Sequence, residues 1–136
     1  MGIKSVFVRH FQWLYYGLYN TVFVAKDLRY LFSCWSSKRL PRSTSFPHPI
    51  GIVIGTGSPI GENCTILQNV TIGVKNPSDT QSPKIGDRVF IGSGAVILGD
   101  IEIGDGVVIG ANSVVLSDVP EGVVIAGSPA EVVSKQ

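Results

Sequence analysis

Residues 85–115 read "IGDRVFIGSGAVILGDIEIGDGVVIGANSVV", with a branched aliphatic at every sixth position: Ile85, Ile91, Ile97, Ile103, Ile109 and Val115. The same beat runs upstream through Ile54, Ile60, Ile66 and Ile72. With branched aliphatics at about a quarter of positions, ten in register arise by chance about once in a million. Seven of the ten are followed by glycine, the other three by Leu67, Leu98 and Leu116. Four residues after nine of them stands a second small or branched residue: Ser58, Cys64, Val70, Val89, Ala95, Ile101, Val107, Ser113 and Val119. Two inward positions in every six fit short strands joined by tight corners and exclude helical heptads.

A longer period counts the sides. "IGSGAVILG" (91–99) returns as "IGANSVVLS" (109–117), three hexads further on, so one coil holds three sides of six. The spacing predicts a mainly β fold: a triangular prism of parallel strands, coils ~4.8 Å apart, with an internal aliphatic ladder. Matching "IGENCTILQ" (60–68) to residues 91–99 gives a step of thirty-one positions, which implies an insertion of thirteen in one coil. The polar stretch "VKNPSDTQSPK" (74–84), with its two prolines, is the excursion that loops out. The chain divides into an aromatic segment over 1–35, the prism over 36–130 with an excursion near 73–85, and a tail over 131–136.

Net charge is +1 across 136 residues, but its sign is divided. Residues 1–50 carry seven Lys/Arg against Asp27 alone; the remainder carries four against nine acids. A basic segment on an acidic body suits anionic lipid, phosphate-bearing ligands or a neighbouring subunit. No basic recognition helix or RNA-type aromatic motif is present, which excludes a nucleic-acid reader. Cys34 and Cys64 have neither metal spacing nor a disulfide framework, and a reduced cytoplasmic setting is the expectation.

The hexads resemble those of the left-handed β-helix acyltransferases. "HPIGIVIG" (48–55), "ILQNVTIG" (66–73), the run from Pro83 to Pro120 and "AGSPAEVV" (126–133) are similar to the serine acetyltransferase-like branch, with its sugar and capsule O-acetyltransferase relatives. The resemblance implies a left hand, where the general rule for parallel crossovers favours the right. It also implies a homotrimer with sites between subunits and acetyl-CoA as acyl donor, with no metal.

His48 stands at the start of the repeat. Leu40 and Phe46 are six apart, but Phe46 to Ile54 takes eight, so two extra residues sit around Pro47-His48-Pro49. Such a bulge, stiffened by prolines, aims a side chain outward. An imidazole there can take the acceptor's hydroxyl proton as it attacks the thioester. The resemblance puts the family's catalytic base on His48; the plain alternative is a histidine at a corner. The resemblance also maps the donor groove to Ser93 and Ala111, small residues one three-hexad coil apart. The basic residue that the family often carries after "PA" is Glu131 here, and Lys135 is the substitute cation. Three further positions depart from the serine acetyltransferase pattern. The carboxylate that pairs with the catalytic histidine is Ser33, the second histidine is Ser82, and an acidic residue after "VIG" is Thr56. These departures favour a sugar or glycan precursor as acceptor over serine, and Asp79 of a neighbouring subunit is a candidate replacement carboxylate.

Ten of the twelve aromatics fall in residues 1–35, and Phe7, Phe11, Leu14, Leu18 and Val22 follow helical spacing. The expected helix caps the oligomer or lies peripherally on the inner membrane face, its basic residues near anionic headgroups. His10, within that helix, is a packing residue. Cys64 shares the core column with Ala95 and Ser113. A γ-class carbonic anhydrase site needs three histidines and the chain has two. A catalytically inactive prism serving as scaffold is the remaining rival.

Overall fold

A computed structural model describes residues 35–36 and 40–135. Short parallel strands wind into a three-sided prism. Face A stacks β1 (Trp35–Ser36), β2 (Val53–Ile54), β4 (Thr71–Gly73), β7 (Val96–Leu98) and β10 (Val114–Val115). Face B stacks β3 (Thr65–Ile66), β6 (Phe90–Ile91), β9 (Val108–Ile109) and β11 (Val123–Gly127), and β12 (Ala130–Lys135) closes it antiparallel. Face C carries β5 (Lys84–Ile85) and β8 (Glu102–Ile103), extended by parallel bridges from Ile60 to Ile85 and from Ile103 to Val119.

Every hexad aliphatic from Ile54 to Val115 is buried, and so is every member of the second column from Ser58 to Val119. Each fully buried isoleucine contributes on the order of 1.5–3 kcal/mol, which is how strands of two or three residues persist. Backbone bonds run from coil to coil, as from Thr71 N–H to the Ala95 carbonyl at 2.9 Å and from Val96 N–H to the Ser113 carbonyl at 2.8 Å.

Ile91 pairs with Ile109, confirming three hexads per coil. The excursion is smaller than the sequence match implies. Ile66 pairs with Ile91 and Thr71 with Val96, a step of twenty-five positions, so the loop adds seven to a regular coil and not thirteen. Because each side repeats the same aliphatic-glycine word, a match slipped by one side scores well. The observed pairing sets Ile60 beside Ile85.

Corners along two of the three edges share a conformation. At the edge from face C to face B, Asn63, Arg88, Gly106 and Gly122 have φ of 57°, 55°, 66° and 66°. At the edge from B to A, Gly51, Asn69, Gly94 and Asn112 have φ of 66°, 59°, 68° and 56°. One left-handed residue per corner on these two edges lets the chain turn within a few residues, and glycine and asparagine tolerate it best. The acids of the prism also serve corners: Asp87 Oδ1 accepts from Glu62 N–H, and Asp105 Oδ1 from Asp87 N–H, both at 2.8 Å. Asp118 Oδ1 accepts from Glu102 N–H at 2.9 Å.

Two segment boundaries differ from expectation. Trp35 pairs with Val53 in β1, so the prism already includes the last residue of the aromatic segment. Residues 131–135, expected as a tail, form β12 with Ala130, because the chain reverses after Gly127 (φ 106°) and covers the outer edge of β11. The expected helix, with His10, Ser33 and Cys34, lies outside the described residues. Among the described residues no helix is long and apolar enough to cross a membrane.

Candidate active site

The bulge at His48 is visible in the strand registers. Ser45 bridges to Thr65, twenty positions on, whereas Val53 pairs with Thr71, eighteen positions on, so two extra residues enter between them. Phe46 and Pro49 are buried while His48 and Ile50 are exposed. Ile50 N–H donates to the His48 carbonyl at 2.8 Å, a tight turn about Pro49 that holds the histidine outward. His48 thus projects from the edge between faces B and A. No carboxylate among the described residues is hydrogen-bonded or ion-paired to it.

Ser93 and Ala111 lie on this same edge, consecutive coils apart, joined by Asn112 N–H donating to the Ser93 carbonyl at 2.8 Å. Ser93 is half-buried and Ala111 exposed. Three coil steps separate the His48 level from Ala111, a run of ~14 Å at ~4.8 Å per coil. The small side chains of Ser93 and Ala111 leave that part of the backbone open to an extended ligand. Gly92 fits tightly against the next coil: a Cβ there would meet the Ala111 nitrogen at 2.6 Å.

Lys135 does not join Ser93 and Ala111 within one chain. It pairs with Val123, at the start of β11, whereas the edge bearing Ala111 lies at Gly127, the strand's other end. Four residues of strand separate them, about 13 Å. Glu131, beside Ala126, is on the His48 edge but has the wrong sign for a phosphate. Lys135 instead lines an open groove of about 480 Å³ with Arg88, Asp105 and Glu121.

The departures Thr56 and Ser82 touch each other. Ser82 is buried, and its hydroxyl donates to the Thr56 carbonyl at 3.4 Å. They sit at the edge between faces A and C, the far side of face A from His48. Asp79 is engaged inside the excursion: its Oδ2 accepts from Asn76 N–H at 2.8 Å and from Asn76 Nδ2 at 3.0 Å. Cys64 is buried in the core column, its thiol donating to the Gly86 carbonyl at 3.2 Å. Burial, chiefly, raises its pKa above the usual 9.0. No group of potential metal ligands is found among the described residues.

One side chain on the His48 edge carries no signal in the hexad pattern. Gln68 stands one coil from His48, in the column of Ser93 and Ala111, and its Oε1 is buried without a hydrogen-bond partner.

A prism of six-residue sides has known counterparts. The family model for the bacterial transferase hexapeptide (six repeats) matches residues 82–117. The serine acetyltransferase of Haemophilus influenzae is 39% identical over 141 residues, covering 98% of this chain and 51% of that protein. The fold is a hexapeptide-repeat β-helix, and along it the chain is similar to the serine acetyltransferases. Among solved structures, a serine acetyltransferase in complex with CoA superposes with a TM-score of 0.62 at 48% identity, over 66% of this chain and 37% of the other. The Neisseria gonorrhoeae serine acetyltransferase in complex with serine gives a TM-score of 0.66 at 43% identity, over 71% and 39%. The chain therefore spans about half the Haemophilus protein and less of the others. The β-helix is left-handed. The right-hand rule rests on twisted strands feeding a crossover helix, and here strands of two or three residues meet at bare corners.

Proposed function

We propose that this β-helix is an acetyl-CoA-dependent O-acetyltransferase, active as a homotrimer with its sites between subunits, and that His48 is its general base. The observation that carries the reading is the two-residue bulge that projects His48 from the edge bearing Ser93 and Ala111. An imidazole nitrogen takes the acceptor's hydroxyl proton as the oxygen attacks the thioester carbonyl. The C–S bond then breaks, and the CoA thiolate leaves and receives the proton. His48 contributes roughly 10²–10⁴-fold to the rate. The donor's pantetheine arm lies along the small-residue edge, with Ser93 and Ala111 beneath it and Lys135 of an adjoining subunit as the available cation for its phosphates.

Serine is the first acceptor to test, because the relatives of this chain are named serine acetyltransferases. This reverses the preference for a sugar drawn from the departures alone. A sugar or glycan hydroxyl is the second reading, favoured by the neutral contact of Ser82 with Thr56 where charged groups are expected.

Calorimetric titration with acetyl-CoA tests the donor without a choice of acceptor. Saturable binding near one site per chain, followed by thiol release with serine that His48→Ala reduces at least about 10²-fold, supports the proposal. No binding at millimolar acetyl-CoA by the folded oligomer refutes it and leaves the scaffold reading.

A further inference from the structure

The base proposed above has no orienting partner among the described residues, while one coil away a buried oxygen has no donor. Gln68 lies between Leu67 and Asn69, and Asn69 N–H donates to the Ile50 carbonyl at 2.8 Å, which brings this corner against the His48 bulge. On the Ser45 register His48 stands opposite Gln68, and on the Val53 register Ile50 does, because the two inserted residues arch over this position. Along the edge the stacked positions are Gln68, Ser93, Ala111 and Gly127, so Gln68 alone carries a long polar side chain. Its backbone carbonyl is satisfied by Gly94 N–H at 2.9 Å, but its Oε1 is buried and accepts nothing. A buried acceptor left unpaired costs its full desolvation, so such a group in a native fold needs an account.

We propose that Gln68 is the positioning residue of His48. Its Oε1 accepts the hydrogen of one imidazole nitrogen when the ring turns toward the neighbouring coil, which leaves the other nitrogen unprotonated and facing the acceptor hydroxyl. A neutral imidazole carries one N–H, and the hydrogen bond made by that N–H selects the tautomer. A neutral carboxamide performs this selection without a carboxylate, consistent with the serine at position 33. The inference rests on His48 being the base, but its test does not require turnover.

Long-range proton–nitrogen NMR of the histidine side chains, with the neutral ring at alkaline pH, reads the tautomer directly. His48→Ala identifies the resonances against those of His10. One tautomer should predominate at His48 in the wild-type chain, and Gln68→Leu should return the ring to the mixture of a free imidazole. Gln68→Glu, which keeps an acceptor and cannot present a donor, should retain the bias. If Gln68→Leu does not fold, the wild-type and Gln68→Glu spectra decide the matter. A free-imidazole mixture in the wild-type chain, loss of the bias in Gln68→Glu, or an unchanged tautomer in folded Gln68→Leu overturns the proposal. In turnover, Gln68→Leu should lower kcat at least about tenfold, a part of the 10²–10⁴ due to a general base, with KM for acetyl-CoA unchanged. A raised KM with kcat intact would instead assign Gln68 to the donor's amide-bearing arm and also overturn the proposal. A chain that shows the tautomer bias yet transfers no acetyl group would refute the transferase reading and leave this hydrogen bond standing.

Discussion

Cys64 and His48 show how one chain treats two potentially reactive side chains in opposite ways. The hexad places Cys64 inward, where its thiol bonds to the Gly86 carbonyl and burial opposes the thiolate. The two-residue insertion places His48 outward. Since the folded thiol's pKa lies above 9.0, the neutral thiol's contribution to stability is complete below that value and is lost as pH rises through the folded value. Chemical denaturation at pH 8 and at pH 10.5 should therefore show a fall in midpoint that is smaller in Cys64→Ala, and an equal fall in both proteins would contradict the buried thiol. In a Cys34→Ser background the remaining thiol should resist alkylation under native conditions and react on unfolding. The sequence already marked both residues, Cys64 by its column and His48 by the broken count from Phe46 to Ile54. Gln68 was not legible, because an outward polar residue at a corner looks like any solvated side chain until the burial of its oxygen is seen.

The corners decide stability at the scale of the element. Gly92 and Gly106 look alike in the sequence, each a glycine within a hexad, but the structure asks different things of them. Gly92 needs the absence of a Cβ, because the next coil's backbone stands 2.6 Å from where one would be. Gly106 needs only its left-handed φ of 66°, with nothing within 4 Å of an added Cβ. Asparagine and arginine already hold the equivalent corner at Asn63 and Arg88. Gly92→Ala should accordingly destabilise by about 1–3 kcal/mol or more through backbone displacement. Gly106→Asn should stay within about 0.5 kcal/mol of wild type. Thermal melts of the two variants check this, and similar losses in both would show that space between coils is not the constraint. The aliphatic-glycine words that reveal the fold also conceal its register, which is why the sequence match makes the excursion one hexad too long. Only the observed pairing of Ile66 with Ile91 resolves the slip.

For the whole molecule, the three faces are unequal. Face C is covered by charge: Lys84, Glu102 and Asp118 are exposed, and Lys84 Nζ lies 2.7 Å from Glu102 Oε1. Such an exposed pair adds little to stability and keeps the face wet. Faces A and B turn Val53, Val96 and Val114, and Phe90, Val108 and Val124, outward. Val53 and Phe90 are each 39% exposed in the single chain. Apolar residues on two faces and charges on the third suit threefold packing with face C toward solvent. Light scattering should give three times the chain mass, and Phe90→Glu should shift the protein toward monomer and weaken acetyl-CoA binding. A folded Phe90→Glu trimer with undiminished binding would place the interface elsewhere.

By itself the sequence determined the prism, its three sides and three-hexad coil, both buried columns and the outward histidine. These follow from periodicity, since every sixth position meets the same interior and a break in the count must surface as a bulge. Tertiary structure alone decided what depends on neighbours in other coils. It set the true length of the excursion, turned the expected tail into β12, and separated Lys135 from the edge that holds Ser93 and Ala111. It also brought Ser82 to Thr56 and buried the Gln68 oxygen beside the His48 bulge. A repeat specifies which way each side chain points; which coil lies against it is settled only when the strands pair.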